Sequence, residues 1–231
     1  MSEIGQKFFV SGLCLHCGMA VKELSDFLQF NHESEKGWNA KDQVLQSHID
    51  SILKKCPEHD HSMIVEGYGW ELHTNQFKYP NIHRESTVLT IFSFLEKQLN
   101  DLCDILSDFI DSDLRFKDLS GQGIERAILY LRKVINFNFS TSNREIAYIR
   151  GFNQVRNHIV HNGGELPESQ THNVNKFIKS NDNVRGNPGG SLIISDKFIP
   201  ELIEVLSSFF KNLDSEVQRF IQNHPENAPN K

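Results

Sequence analysis

The sequence of this 231-residue chain predicts an all-α fold: an up-and-down helical bundle with a short β-hairpin inserted before its last helix and a helical extension in front. Three observations carry that class. Val88, Phe92, Leu95, Leu99, Leu102, Leu106 and Phe109 alternate steps of four and three, which places them on one face of a long, central helix. Leu202, Leu206, Phe209, Leu213, Val217 and Phe220 mark the core face of a last helix that starts near Pro200, a residue tolerated in a first turn. Phe177-Ile178 and Leu192-Ile193-Ile194, separated by Asn- and Gly-rich residues including Gly189-Gly190, read as the hairpin.

The remaining elements follow in chain order. Val21, Leu24 and Leu28 predict a helix over about residues 18–30, and Val44, Leu45, Ile49, Ile52 and Leu53 another over about 39–55, ended by Pro57. From Cys56 to Pro80 the pattern breaks, with Gly67, Gly69 and several histidines around Met63-Ile64-Val65, so a loop with a short strand is expected. Beyond the long helix, Ile124, Ile128, Leu131 and Ile135 predict a helix over about 122–137. Residues 1–80 are read as an N-terminal extension, 81–222 as the core helical domain and 223–231 as a flexible tail.

The residues with the most chemistry are Arg156-Asn157-His158-Ile159-Val160-His161, followed by Asn162-Gly163-Gly164. Ser142-Asn143-Arg144-Glu145 has the capping-box pattern, so a helix should begin near residue 143. Tyr148, Phe152, Val155 and Ile159 then recur at steps of four, three and four as a buried stripe, and Gly163-Gly164 supplies the left-handed residue that ends the helix. Opposite runs a polar stripe of Arg150, Asn153, Asn157 and His161. Arg156 lies ~100° from Asn157 around the helix, and its long side chain can swing toward that stripe. Arg, Asn and His at a helix end also suit the negative end of the helix dipole, and His158 fits that role.

The arrangement R-N-x-x-x-H at Arg156–His161 resembles the signature of the HEPN family, small helical ribonucleases of toxin–antitoxin, abortive-infection and CRISPR systems. The helix order over residues 81–222 is similar to that family's bundle; residues 1–80 lie outside the resemblance. A guanidinium can chelate two phosphate oxygens, and an imidazole of near-neutral pKa can move the proton when a ribose 2′-OH attacks the adjacent phosphate. RNA carries its own nucleophile, so neither metal nor cofactor is required. The resemblance implies this reaction, a metal-independent cleavage leaving a 2′,3′-cyclic phosphate, at a site built by two motif copies across a homodimer. It assigns the phosphate clamp to Arg156, the 2′-OH to His161, and orientation of a phosphate oxygen or of the arginine to Asn157. Arg150, Asn153, His158 and Asn162 are candidate substrate contacts, and Glu96, Asn100 or Glu125 the polar partner many members keep. An antitoxin or defence-system protein is the partner implied. In one branch of the family a nucleotidyltransferase modifies a Tyr two residues after the motif His; here that position is Gly163. The other reading of the same residues is a catalytically silent module that binds RNA or a protein.

Composition bounds these readings. A net charge of −6 argues against wholesale electrostatic capture of nucleic acid and confines RNA contact to one groove. No apolar run approaches the ~20 residues of a membrane span, the N-terminus lacks a secretory pattern, and the four cysteines form no disulfide framework, all of which point to the cytoplasm. Cys14-Leu15-His16-Cys17 resembles a zinc knuckle, with Cys56 and His59 as a second pair; the alternative is free buried thiols, with Val10, Leu13 and Met19 as core around the first pair. His59, His61, Trp38, Tyr68 and Trp70 are candidates for a surface, and Cys103 is read as packing.

Overall fold

The computed structural model describes residues 3–225, so most of the tail expected from residue 223 lies outside the described residues. The element order is α1 (Glu3–Val10), α2 (His16–Leu53), α3 (His61–Gly67), α4 (Gly69–His73), α5 (Tyr79–Ser107), α6 (Gly123–Lys133), α7 (Asn143–Asn162), α8 (Asn173–Lys179), β1 (Val184–Arg185), β2 (Ile193–Ile194) and α9 (Phe198–Asn223). The class is therefore all-α with one small antiparallel hairpin. No helix is long and apolar enough to cross a membrane among the described residues. The chain divides into two units. One takes the described residues through Asp26, Thr90–Asn157 and those from Glu201 on; the other takes Phe27–Leu89 and His158–Pro200.

In the first unit the apolar periods do what their spacing predicts. Leu95, Leu99, Leu102 and Leu106 of α5 are buried, as are Ile124, Ile128 and Leu131 of α6 and Leu206, Phe209, Leu213 and Val217 of α9. Aromatic pairs knit these faces together: Phe92 with Phe152 at 5.7 Å, Phe94 with Phe210 at 6.4 Å, and Phe139 stacked on Phe209 at 6.4 Å between ring centroids. Phe209-Phe210 is fully buried. The helix expected over 122–137 stops at Lys133, because Asn136 adopts a left-handed φ of 64° and the Phe137 N–H folds back to the Leu131 carbonyl at 2.9 Å. Phe109 falls beyond the end of α5 and packs on the buried Phe8 of α1 at 4.6 Å. Around Cys14 and Cys17 the core reading needs correction. Leu13 is buried, but Val10 is 84% and Met19 61% exposed. Gly12, at φ 79°, breaks the helical path between α1 and α2, and beyond it Leu13 and Cys17 are buried.

The second unit departs most from expectation. The two helices predicted for 18–30 and 39–55 are one continuous helix, α2. Its middle is polar but well anchored. Arg84 grips Glu35 with two hydrogen bonds of 2.6 and 2.7 Å and donates a third to the Ile194 carbonyl at 3.0 Å, while the His83 ring donates to the buried Asn31 Oδ1 at 3.2 Å. A bidentate pair this shielded is geometrically specific, which favours one helical register over a break. The expected loop and strand at 56–80 are also helical: a turn at Glu58–Asp60, then α3, α4 and a wide turn at Thr74–Lys78 that runs into α5. None of the residues Glu58–Lys78 is buried, so this stretch has no apolar period to read. Met63, Trp70 and Phe77 are 67, 68 and 61% exposed, and Tyr68 meets His48 at 3.2 Å.

The hairpin is shifted as well. Phe177-Ile178 belongs to α8, where Val174 and Ile178 are buried one turn apart and Asn175 donates to the Pro167 and Ser169 carbonyls. Val184 pairs instead with Ile194, and Arg185 with Ile193. Gly186 permits the chain to pass closely, since a Cβ there would stand 2.9 Å from the Ser191 carbonyl oxygen.

Candidate functional site

Helix α7 begins at Asn143, after a tight turn at Ser140–Ser142. The Glu145 carboxylate accepts a hydrogen bond from Ser208 at 2.9 Å, a use the capping-box pattern does not anticipate. Its buried stripe is Ile146, Ile149, Phe152, Val155 and Ile159; Tyr148, expected on that stripe, is half-buried because the two isoleucines fill the inner positions. The helix ends as predicted, with Gly163 at φ 60° and Gly164 at φ 80°. The Gly164 N–H donates to the His158 carbonyl at 3.0 Å, and the Leu192 N–H to the Gly164 carbonyl at 2.8 Å.

Arg156 is half-buried near the end of this helix. Its guanidinium carbon lies 4.8 Å from the centre of the Phe92 ring, and Nη1 donates to Asn157 Oδ1 at 3.0 Å. Asn157 and His161 are four residues apart and so share a helix face, which means that the guanidinium does swing toward the polar stripe. It has no carboxylate partner among the described residues. Arg84, Arg115, Arg150 and Arg219 each pair with an acid, whereas Arg126 and Arg132, like Arg156, lie over aromatic rings, of Phe116 and Phe139. His161 is exposed in the last turn, and its ring makes no hydrogen bond within the chain among the described residues.

The other candidates separate by what already holds them. Arg150 and Glu125 form a bidentate pair at 2.7 and 2.9 Å, and that hydrogen bonding holds the Glu125 carboxyl below the usual carboxylate range. Both side chains of this pair are about half exposed. The Glu96 carboxylate lies against Gly123, where a Cβ would come within 3.3 Å of Oε1, and so occupies the positive end of α6. Asn100 keeps its side-chain oxygen buried without a hydrogen bond. Asn153 is half-buried, and Asn162 is exposed. His158 Nδ1 donates to the Glu165 carbonyl at 3.2 Å, and its ring meets His172 edge-on at 5.3 Å.

Three features escaped the sequence. Phe92 reads there as core alone, and nothing in a heptad shows that one edge of the stripe serves as a platform for an arginine. His172 sits at the N-cap of α8, where Ser, Thr, Asp or Asn would have been the signal. Glu85 is a third unanticipated group: it accepts from Asn81 at 2.7 Å, stands beside Gly164, and burial pushes its carboxyl pKa up.

No family model, characterised protein or solved structure matches this chain. The four cysteines are free; burial pushes the Cys17 thiol up strongly and that of Cys103, which donates weakly to the Ala127 carbonyl, up to about 12. Among the described residues, no three or more His, Cys, Asp or Glu side chains converge as a metal site.

Proposed function

We propose that the chain is a HEPN-like endoribonuclease that cleaves RNA without a metal, through attack of the ribose 2′-OH on its own phosphodiester, at a site two copies complete together. The observation that carries this reading is Arg156: a half-buried guanidinium, seated on Phe92 and oriented by Asn157, with no carboxylate among the described residues to neutralise it. A cation so placed is prepared for an anion, and its planar fork suits two phosphate oxygens. His161, exposed one turn on, supplies the group that takes the 2′-OH proton. On an ideal helix, positions five apart diverge by about 140°, so one copy offers an incomplete site. A twofold axis at this helix end would supply the second guanidinium and imidazole. The setting that suits such an activity is a toxin or phage-defence system, with an antitoxin or defence protein as partner.

The test is incubation of purified protein with structured and unstructured RNA in EDTA, with light scattering on the same sample. The expected result is cleavage to 2′,3′-cyclic phosphate ends by a species of about twice 26.6 kDa. Products with a 5′-phosphate, activity only after magnesium is added, or full activity from a strict monomer would overturn it. RNA binding without cleavage would assign the chain to the silent-module class.

A further inference from the structure

In-line attack places the entering 2′-oxygen and the departing 5′-oxygen on opposite sides of phosphorus, so one imidazole cannot serve both. Resting on the ribonuclease reading above, we infer that His158 is the proton donor to the departing 5′-oxygen and that His172 positions it.

The hydrogen bonds define the state of each ring. A peptide carbonyl only accepts, so the contact of His158 Nδ1 with the Glu165 oxygen at 3.2 Å puts a hydrogen on Nδ1 and directs Nε2 elsewhere. A backbone N–H only donates, so the contact of Val174 N with His172 Nδ1 at 3.4 Å leaves the His172 hydrogen on Nε2. The rings stand 5.3 Å apart at 85°, an edge-to-face contact. The His158 backbone is fastened too, since its carbonyl accepts the Gly164 N–H at 3.0 Å across the left-handed turn that closes α7. An imidazole oriented by a carbonyl on one nitrogen and free to carry a proton on the other is how proton-transfer histidines are prepared. His158 precedes His161 by three residues, so their Cβ atoms are neighbours on the helix surface, about 5–6 Å apart.

The step balances with these two groups. The 2′-oxygen forms its bond to phosphorus as its proton passes to His161, and the P–O5′ bond breaks with its electron pair on the 5′-oxygen. That oxygen takes the proton from Nε2 of His158 imidazolium. His158 is left neutral with the hydrogen on Nδ1, His161 protonated, and the products are a 2′,3′-cyclic phosphate and a 5′-hydroxyl. Exchange with water resets both rings.

A histidine that merely favours the helix end would give a different pattern of defects from a proton donor. The experiment uses the full chain with His158→Gln, His161→Gln and His172→Ala, and two versions of one RNA: the ordinary linkage, and one with sulfur in place of the bridging 5′-oxygen. A thiolate leaves without a proton. The expected result is that His158→Gln loses on the order of 10²-fold or more on the oxygen linkage but remains near wild type on sulfur, while His161→Gln is impaired on both. His172→Ala, which leaves the turn intact, should lose roughly tenfold on oxygen alone, the scale of an orienting contact. Equal losses of His158→Gln on both linkages, or none on either, would overturn the assignment while leaving the ribonuclease reading in place. Wild-type protein that cleaves neither linkage would overturn both.

Discussion

The early turns of α7 and its last turn belong to one helix but are held in different ways. From Asn143 through Val155 the inner face is apolar and buried, with Ile146, Ile149, Phe152 and Val155 in the core, and two of the three charged groups have side-chain partners: Glu145 has Ser208 and Arg150 has Glu125. From Arg156 to Asn162 only Ile159 remains buried. The cation of that last stretch lies on an aromatic ring in place of a carboxylate, and His161 faces solvent. A charge matched by an opposite charge within the chain is held as an ion pair; a cation oriented only by neutral partners keeps its charge unmatched. That contrast separates Arg150 from Arg156, which the polar stripe in the sequence could not do.

The largest effect expected from breaking this contrast is on the buried side. Phe152→Ala removes a fully buried ring that packs on Phe92 and should cost about 3–5 kcal/mol, read by urea denaturation. His161→Ala should change the same measurement by less than about 0.5 kcal/mol, since the side chain is exposed. Similar costs for both would erase the distinction between the two ends of α7.

The contrast sharpens between the two arginines. Arg156→Gln should lower RNA cleavage by roughly 10²-fold, the scale of one lost transition-state contact. Arg150→Gln should lower it by less than about tenfold, because that guanidinium stays with Glu125. A larger loss for Arg150→Gln would return it to the substrate side.

The smallest effect is electrostatic. Glu125 has a depressed carboxyl pKa in the folded chain, so its pairing contributes stability above the unfolded value of about 4.3, and that contribution disappears as pH falls through the lower folded value. Both side chains are about half exposed, so at pH 7 Glu125→Gln should cost no more than about 1 kcal/mol, and the gap between variant and wild type should close in acid. A gap that widens on acidification would contradict the pairing.

What the sequence made legible follows the same division between buried and open surface. The long helix α5, the face of α6 and the helix α9 were readable because each buries one stripe, and a buried stripe imposes a period. Gly163 and Gly164 marked the end of α7 because their left-handed backbone selects for glycine. Residues Glu58–Lys78 carry no helical period in the sequence because none of them is buried, so no face has to be kept apolar. The unbroken course of α2 was hidden for a related reason. Its middle is held by Glu35 with Arg84 and Asn31 with His83, partners some fifty residues away that no local pattern reveals. At the candidate site, the motif named Arg156, Asn157 and His161, but the Phe92 platform and the His158–His172 contact depend on tertiary placement.

The most direct test of the central claim is a paired measurement on Arg156→Ala and His161→Ala: the rate of RNA cleavage in EDTA, and the stability of the same samples. Both variants should lose about 10²-fold or more in rate while stability stays within about 1 kcal/mol of wild type. Undiminished cleavage by either variant, or a loss of activity that tracks unfolding, would contradict the account and leave the last turn of α7 as part of the scaffold.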